Sequence, residues 1–164
     1  MHRFTIGMFA AAVTACMAGP QIASAQRLSV GAGVGIAAST DGTLSDGRAG
    51  PVVTAQATTA GAVGVGLEAD GWWHSSSNIL IGTAHVQFHA PSTPLLFTLG
   101  AGIGRGDPDG LGTINGTAGH VGAAIDIGRQ TSSVAVTLFA NGFLIYNSSR
   151  SLQMVNAGLA ITRR

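Results

Sequence analysis

No lysine occurs anywhere in the 164 residues, and Asp, Glu and Arg together make up only 9% of the chain. Ordinary soluble domains carry roughly 25% charged residues, and a surface this poor in charge is difficult to keep hydrated. Long apolar runs are missing as well: no stretch of the body reaches the ~20 residues that a membrane-spanning helix requires. Cysteine occurs once, at Cys16, so no intrachain disulfide is available. The net charge is +1 and the eight arginines are scattered, which excludes a basic nucleic-acid footprint. What remains is a chain rich in glycine, 25 residues, and 46% hydrophobic. An apolar, uncharged, Gly-rich chain without a helical span points to a barrel of strands facing lipid.

The first residues read as a secretory signal. His2 and Arg3 form a short basic start, Phe4 to Ala15 is apolar, and Gly19-Pro20 then breaks the helix. Ala23-Ser24-Ala25 offers a small-residue cleavage site before Gln26. This predicts a signal peptide over 1–25 and a mature domain over 26–164. A rival reading takes Val13-Thr14-Ala15-Cys16 as a bacterial lipobox that would leave Cys16 lipidated. The distance from the helix breaker to Ala25 favours the first.

From Arg27 onward, segments of about ten residues alternate apolar with small or polar positions, as barrel strands do. The first, over 27–38, puts Leu28, Val30, Ala32, Val34 and Ile36 on one face and Ser29, Gly31, Gly33 and Gly35 on the other. The fifth sets Leu95, Phe97, Leu99, Ala101 and Ile103 against Leu96, Thr98, Gly100, Gly102 and Gly104. Similar patterns begin near 51, 63, 79, 120, 133 and 152, the seventh less cleanly because Phe139 and Phe143 share a parity with Thr137 and Asn141. Eight segments result. The loops after the first and fifth, 39–50 and 105–117, are long, whereas the turns after the second, fourth and sixth are short.

Alternation alone does not say which face points outward, because a soluble lipocalin-like barrel alternates with its apolar face inside. The polar-parity face here is mostly Gly, Ala, Thr and Ser, which suits a narrow lumen better than a hydrated exterior. Trp72, Trp73 and Tyr146 fall at one set of strand ends and Phe88 and Phe97 at the other, as two aromatic girdles would. The expected fold is therefore all-β: an eight-stranded antiparallel up-and-down transmembrane β-barrel, with both mature termini in the periplasm of a Gram-negative bacterium.

On these features the mature chain resembles the small OmpA-like outer-membrane barrel domains. The segment Leu96-Phe97-Thr98-Leu99-Gly100-Ala101-Gly102-Ile103-Gly104 and the final strand Asn156-Ala157-Gly158-Leu159-Ala160-Ile161 carry the resemblance. It implies insertion by the barrel-assembly machinery and a setting among outer-membrane lipids and lipopolysaccharide, as a monomer. One departure stands out: such proteins usually finish on an aromatic residue, but this chain reads Thr162-Arg163-Arg164. No peptidoglycan-binding domain follows, so a cell-wall tether is not expected.

Few motifs carry chemistry. His74-Ser75-Ser76-Ser77-Asn78 looks like the His-x-Ser-Asn segment of lipid A deacylase barrels, with a base near a hydroxyl nucleophile. Ser77 stands where Asn should follow, and no acid partner is evident, so a hydrophilic loop is the favoured reading. Asp107-Pro108-Asp109-Gly110 lacks the further oxygen ligands of a calcium loop and reads as a turn. The lumen-parity face collects Glu68, Asp70, His85, His89, His120 and Asp126, with Glu68 expected roughly across from His85. Buried charges need partners, so structural pairing is favoured over proton conduction. His85 and His89 lie ~13 Å apart along a strand, too far to share a metal. No catalytic, cofactor or metal site is expected. The expected role is structural or surface-interactive, against three alternatives: a narrow passive, porin-like channel, a lipid A-modifying enzyme at the outer rim, and a soluble ligand-binding barrel.

Overall fold

The computed structural model describes residues 26–39, 47–75, 77–107, 113–128 and 133–164. The segment read as a signal peptide, with Cys16, and also Ser76, Pro108 to Gly110 and the turn around Arg129 lie outside the described residues. Eight strands follow in order: β1 (Gln26–Ser39), β2 (Arg48–Thr59), β3 (Val63–His74), β4 (Ser77–His89), β5 (Leu95–Asp107), β6 (Ile114–Ile127), β7 (Val134–Tyr146) and β8 (Ser151–Arg163). Each pairs antiparallel with the next, and β8 returns to β1 to close the barrel. Closure leaves no sheet edge unpaired.

The registers fix the geometry. A walk from Ser29 across the strand pairs, through Gln56, Glu68, Thr83, Gly102, Ala118, Ile145 and Leu152, returns to β1 at Ser39, ten residues further on. A stagger of this size tilts eight strands by about 40° and encloses a space just wide enough for side chains.

Alternation divides each strand into an outward and an inward face. Leu67, Ile103 and Ile161 point outward with 67%, 74% and 68% exposure. Among the described residues, charged side chains on this outer face stand only at strand ends: Arg105 and Asp107 on β5 and Arg163 on β8. In water such a continuous apolar belt would drive association; against hydrocarbon it is the solvated surface. Phe88 and Phe97 sit opposite each other on β4 and β5 and face outward near one rim. Tyr146 faces outward near the other, where Trp73 covers Gly71.

Trp72 does not join that girdle. It points into the lumen at 2% exposure, and its Nε1 donates to the Gly35 carbonyl at 3.0 Å. Two consecutive strand residues cannot share a face, so only Trp73 stays outside. The long loop expected over 105–117 is also shorter. Pairing of Gly106 with Ile114 extends β5 to Asp107 and starts β6 at Ile114. Likewise Arg48 to Gly50 belong to β2 rather than to the preceding loop.

The rim carrying the connections after β1, β3, β5 and β7 is the loop end; the rim with the chain termini is the terminal end. The two fully described turns at the terminal end are tight. The β2–β3 turn uses Gly61 at φ 137°, and in the β4–β5 turn Thr93 N donates to Ala90 O at 3.3 Å beside Ser92 at φ 61°. Because an L side chain is strained at the Gly61 dihedral, Gly61→Ala is expected to lower stability by about 1–2 kcal/mol. Urea titration of the barrel in lipid vesicles measures this; an unchanged midpoint would count against the turn geometry.

Candidate functional site: the filled lumen and the loop rim

Three layers fill the interior. The first, at the terminal end, is built on Asp126 of β6. Its carboxylate accepts from Arg27 Nη1 at 2.6 Å, from Thr137 Oγ1 at 2.7 Å and from Arg164 Nη2 at 2.7 Å. Thr137 and Thr162 hydroxyls lie 2.7 Å apart, and Thr162 and Ser29 hydroxyls 2.8 Å apart. An ionised carboxylate only accepts, so the hydroxyl protons run in one direction: Ser29 donates to Thr162, Thr162 to Thr137, Thr137 to Asp126. These residues come from β1, β6, β7 and β8, and Arg164 follows β8. The cluster therefore clamps the β1–β8 junction where the barrel closes. The Arg27 and Asp126 side chains are 6% and 7% exposed, a depth at which each needs the other's charge.

The middle layer is polar and uses the single glutamate. Glu68 Oε1 accepts from Asn141 Nδ2 at 3.0 Å, while Oε2 lies 3.6 Å from His120 Nδ1 and 4.0 Å from His85 Nδ1. His85 Nε2 is 2.9 Å from Thr58 Oγ1. The His85 and His120 rings meet edge-on at 6.5 Å, and His120 stacks on Phe143 at 4.5 Å. Gly100 of β5 pairs with both histidines. A Cβ there would stand 3.0 Å from His85 Cβ and 3.4 Å from His120 Nδ1, so the absent side chain lets histidines from non-adjacent strands meet. Asp70 is enclosed beside this cluster at 1% exposure, with the side chains of Glu68, Thr54 and Asn156 around its carboxylate. Below lies a cavity of about 30 Å³ that reaches Ser29, Gln56, Glu68, Thr98 and Asn141, room for about one water.

The third layer, at the loop end, is apolar. Trp72, Ile79, Ile114, Ile145, Leu152 and Met154 are all buried in one cluster. Large side chains rest on glycines of other strands: Trp72 on Gly35, Ile145 on Gly104, Leu152 on Gly106. Setting a large residue against none is how so narrow a tube reaches interior packing density.

A closed ring of eight antiparallel strands, apolar outside and filled inside, is shared with solved structures of low sequence identity. Neisserial surface protein A superposes with a TM-score of 0.65 at 12% identity, over 84% of this chain and 96% of that one. Ail, the attachment invasion locus protein of Yersinia pestis, solved with the heparin analogue sucrose octasulfate, gives 0.55 at 16% identity, over 84% and 98%. This chain has the fold of the eight-stranded outer-membrane β-barrels. No family model matches the sequence, and no curated protein matches it.

Within this outer-membrane barrel fold, five of the residues that sequence reading placed in the lumen have buried side chains, Glu68, Asp70, His85, His120 and Asp126, and His89 is half-buried at the end of β4. They do not form one group. Glu68, His85 and His120 meet in the middle layer, and Asp126 belongs to the clamp. Glu68 is paired with Thr83 rather than His85, which faces Gly66 two residues away. The tilt of the strands nevertheless brings the two side chains to 4.0 Å.

Sequence reading missed Arg27, Gln56 and Asn141 as partners, and it missed the plug. Ile114 lies six residues before the expected start of its strand, whereas Ile79 and Leu152 stand at the expected starts of theirs, on the inward parity, and extending or reading that alternation would have found all three. At the rim, His74 is engaged rather than free: its Nδ1 is 2.7 Å from Ala49 O and its ring stacks 6.1 Å from Trp72. Ser76 lies outside the described residues.

Proposed function

We propose that this protein is a non-enzymatic barrel of a bacterial outer membrane whose role is structural and whose loop end serves as an interaction surface. The observation that carries the reading is a lumen closed at both ends, by the Asp126 clamp below and the apolar plug above. Between them lies a cavity of about 30 Å³ in the polar layer. A passive channel needs a continuous wet path, and a lipocalin-like carrier needs an empty apolar cavity. Neither is served by this interior. The engaged ring of His74 favours a structural rim over a deacylase site. What varies freely on such a frame is the loop end, and the surface and attachment proteins that share the fold are consistent with that use. The terminal end lies in the periplasm in this reading. Insertion by the barrel-assembly machinery and contact with lipopolysaccharide are part of it.

Two measurements test the proposal. The protein is expected in the outer-membrane fraction, with a gel mobility that shifts on boiling. Reconstituted in planar bilayers, it is expected to give no discrete conductance steps. Stable single-channel openings would replace the structural reading with the channel reading, and recovery from the periplasm without detergent would remove the membrane reading altogether.

A further inference from the structure

The glycines of the strands divide into two kinds. At most positions the backbone or a packed side chain forbids anything larger: a Cβ on Gly33 would lie 2.0 Å from Ala157 O, and one on Gly102 2.0 Å from Gly82 O. Gly82 of β4 and Gly119 of β6 have nothing within 4 Å of the added atom, and Gly142 of β7 has only Val121 Cγ2 at 3.6 Å; Gly82 stands apart, whereas Gly119 and Gly142 lie together at one depression. Both point outward, in the apolar belt. Glycine in a strand interior forgoes side-chain packing and loses more backbone freedom on folding than any other residue. Nothing within this chain requires it at these two places, and an unforced strand glycine marks where another molecule approaches the backbone closely.

The surface around them confirms a depression. Leu99, Val121, Leu144 and Val155 form its walls around an open, shallow space of about 430 Å³. Besides His120, whose side chain is buried in the lumen, one lining residue is polar: Gln153 of β8, exposed on a face otherwise apolar at that height. Gly119 pairs with Leu144, and Leu144 with Gln153, so the amide sits two strands from the floor of the groove. Tyr146 stands two residues above Leu144, exposed, at the loop-end girdle. A carboxamide in hydrocarbon is costly without a partner. Just below an aromatic girdle, it lies where the ester and amide linkages of lipids begin.

We infer that the Gly119–Gly142 groove holds one acyl chain of a membrane lipid in a fixed place, with the carbonyl-bearing linkage of that lipid hydrogen-bonded to the Gln153 amide. The apolar walls take the chain, and the polar amide takes the linkage. A lipid is the occupant because groove and amide together match an amphiphile with its polar junction at the girdle. A second copy of the barrel would present walls that are convex rather than chain-shaped.

This inference rests on the membrane reading above, and native mass spectrometry of the detergent-extracted protein separates the two. The intact barrel is expected to retain one lipid per chain through mild activation. The Gly119→Leu/Gly142→Leu variant fills the groove without touching the lumen; it is expected to keep the heat-dependent mobility shift and to lose the lipid. Gln153→Leu is expected to weaken retention while leaving the fold intact. A bare wild-type barrel, or equal lipid retention in the filled variant, overturns the inference and leaves the membrane reading standing. So does a dimer cross-linked through Gln153→Cys. Absence of the mobility shift in the wild type would instead remove the membrane reading.

Discussion

Replacing Asp126 by alanine is expected to lower the unfolding free energy by about 3–5 kcal/mol, the cost of leaving a buried charge without its partner. The side chain of Arg27 is only 6% exposed and gives Asp126 both guanidinium ends. Without the carboxylate, that charge is held at the β1–β8 junction with a threonine hydroxyl at 3.3 Å as its remaining partner. Arg164 would lose its anchor as well. Urea titration in lipid vesicles, followed by tryptophan fluorescence, reads the loss. A second variant isolates the cause: Arg27→Leu/Asp126→Leu removes both charges and is expected to recover most of the stability, because apolar residues of similar volume replace buried ion pairs at little cost. Equal instability of the single and double variants would mean that the hydroxyl chain, not the charge pair, holds the junction.

Trp72→Ala is expected to cost a similar amount, about 3–5 kcal/mol. The indole fills the space above Gly35 and gives its N–H to the Gly35 carbonyl. Truncation opens a hole in the plug and removes the indole hydrogen bond to that carbonyl, so both the cavity and the lost hydrogen bond contribute. Trp73, outside and against Gly71, remains as the fluorescent reporter in this variant. By contrast Ile103→Ala, on the outer face at 74% exposure, leaves no internal cavity and is expected to cost less than half as much. If the two substitutions cost the same, the plug is not the packed core that the geometry describes.

The amino-acid sequence by itself determined that the chain alternates, and hence the eight strands and their faces. Leu99, Ile103 and Ile161 could not point anywhere but outward once Thr98, Gly102 and Thr162 pointed in, because the strand repeat is two. The near absence of charge on the apolar parity then decided that the outside meets lipid. The lumen candidates Glu68, Asp70, His85, His120 and Asp126 followed from the same parity. Which of them meet is a different question, and pairing along a strand does not answer it. Their contacts depend on the ten-residue stagger around the closed barrel, a property of the whole ring that no single hairpin contains. It brings Asp126 to Arg27 across a separation of 99 residues and Glu68 to Asn141 across 73. It also sets His85 and His120 together over Gly100 and seats the plug on its glycines. Tertiary structure alone decided those contacts, because strand tilt converts neighbours in register into neighbours in space only after the barrel has closed.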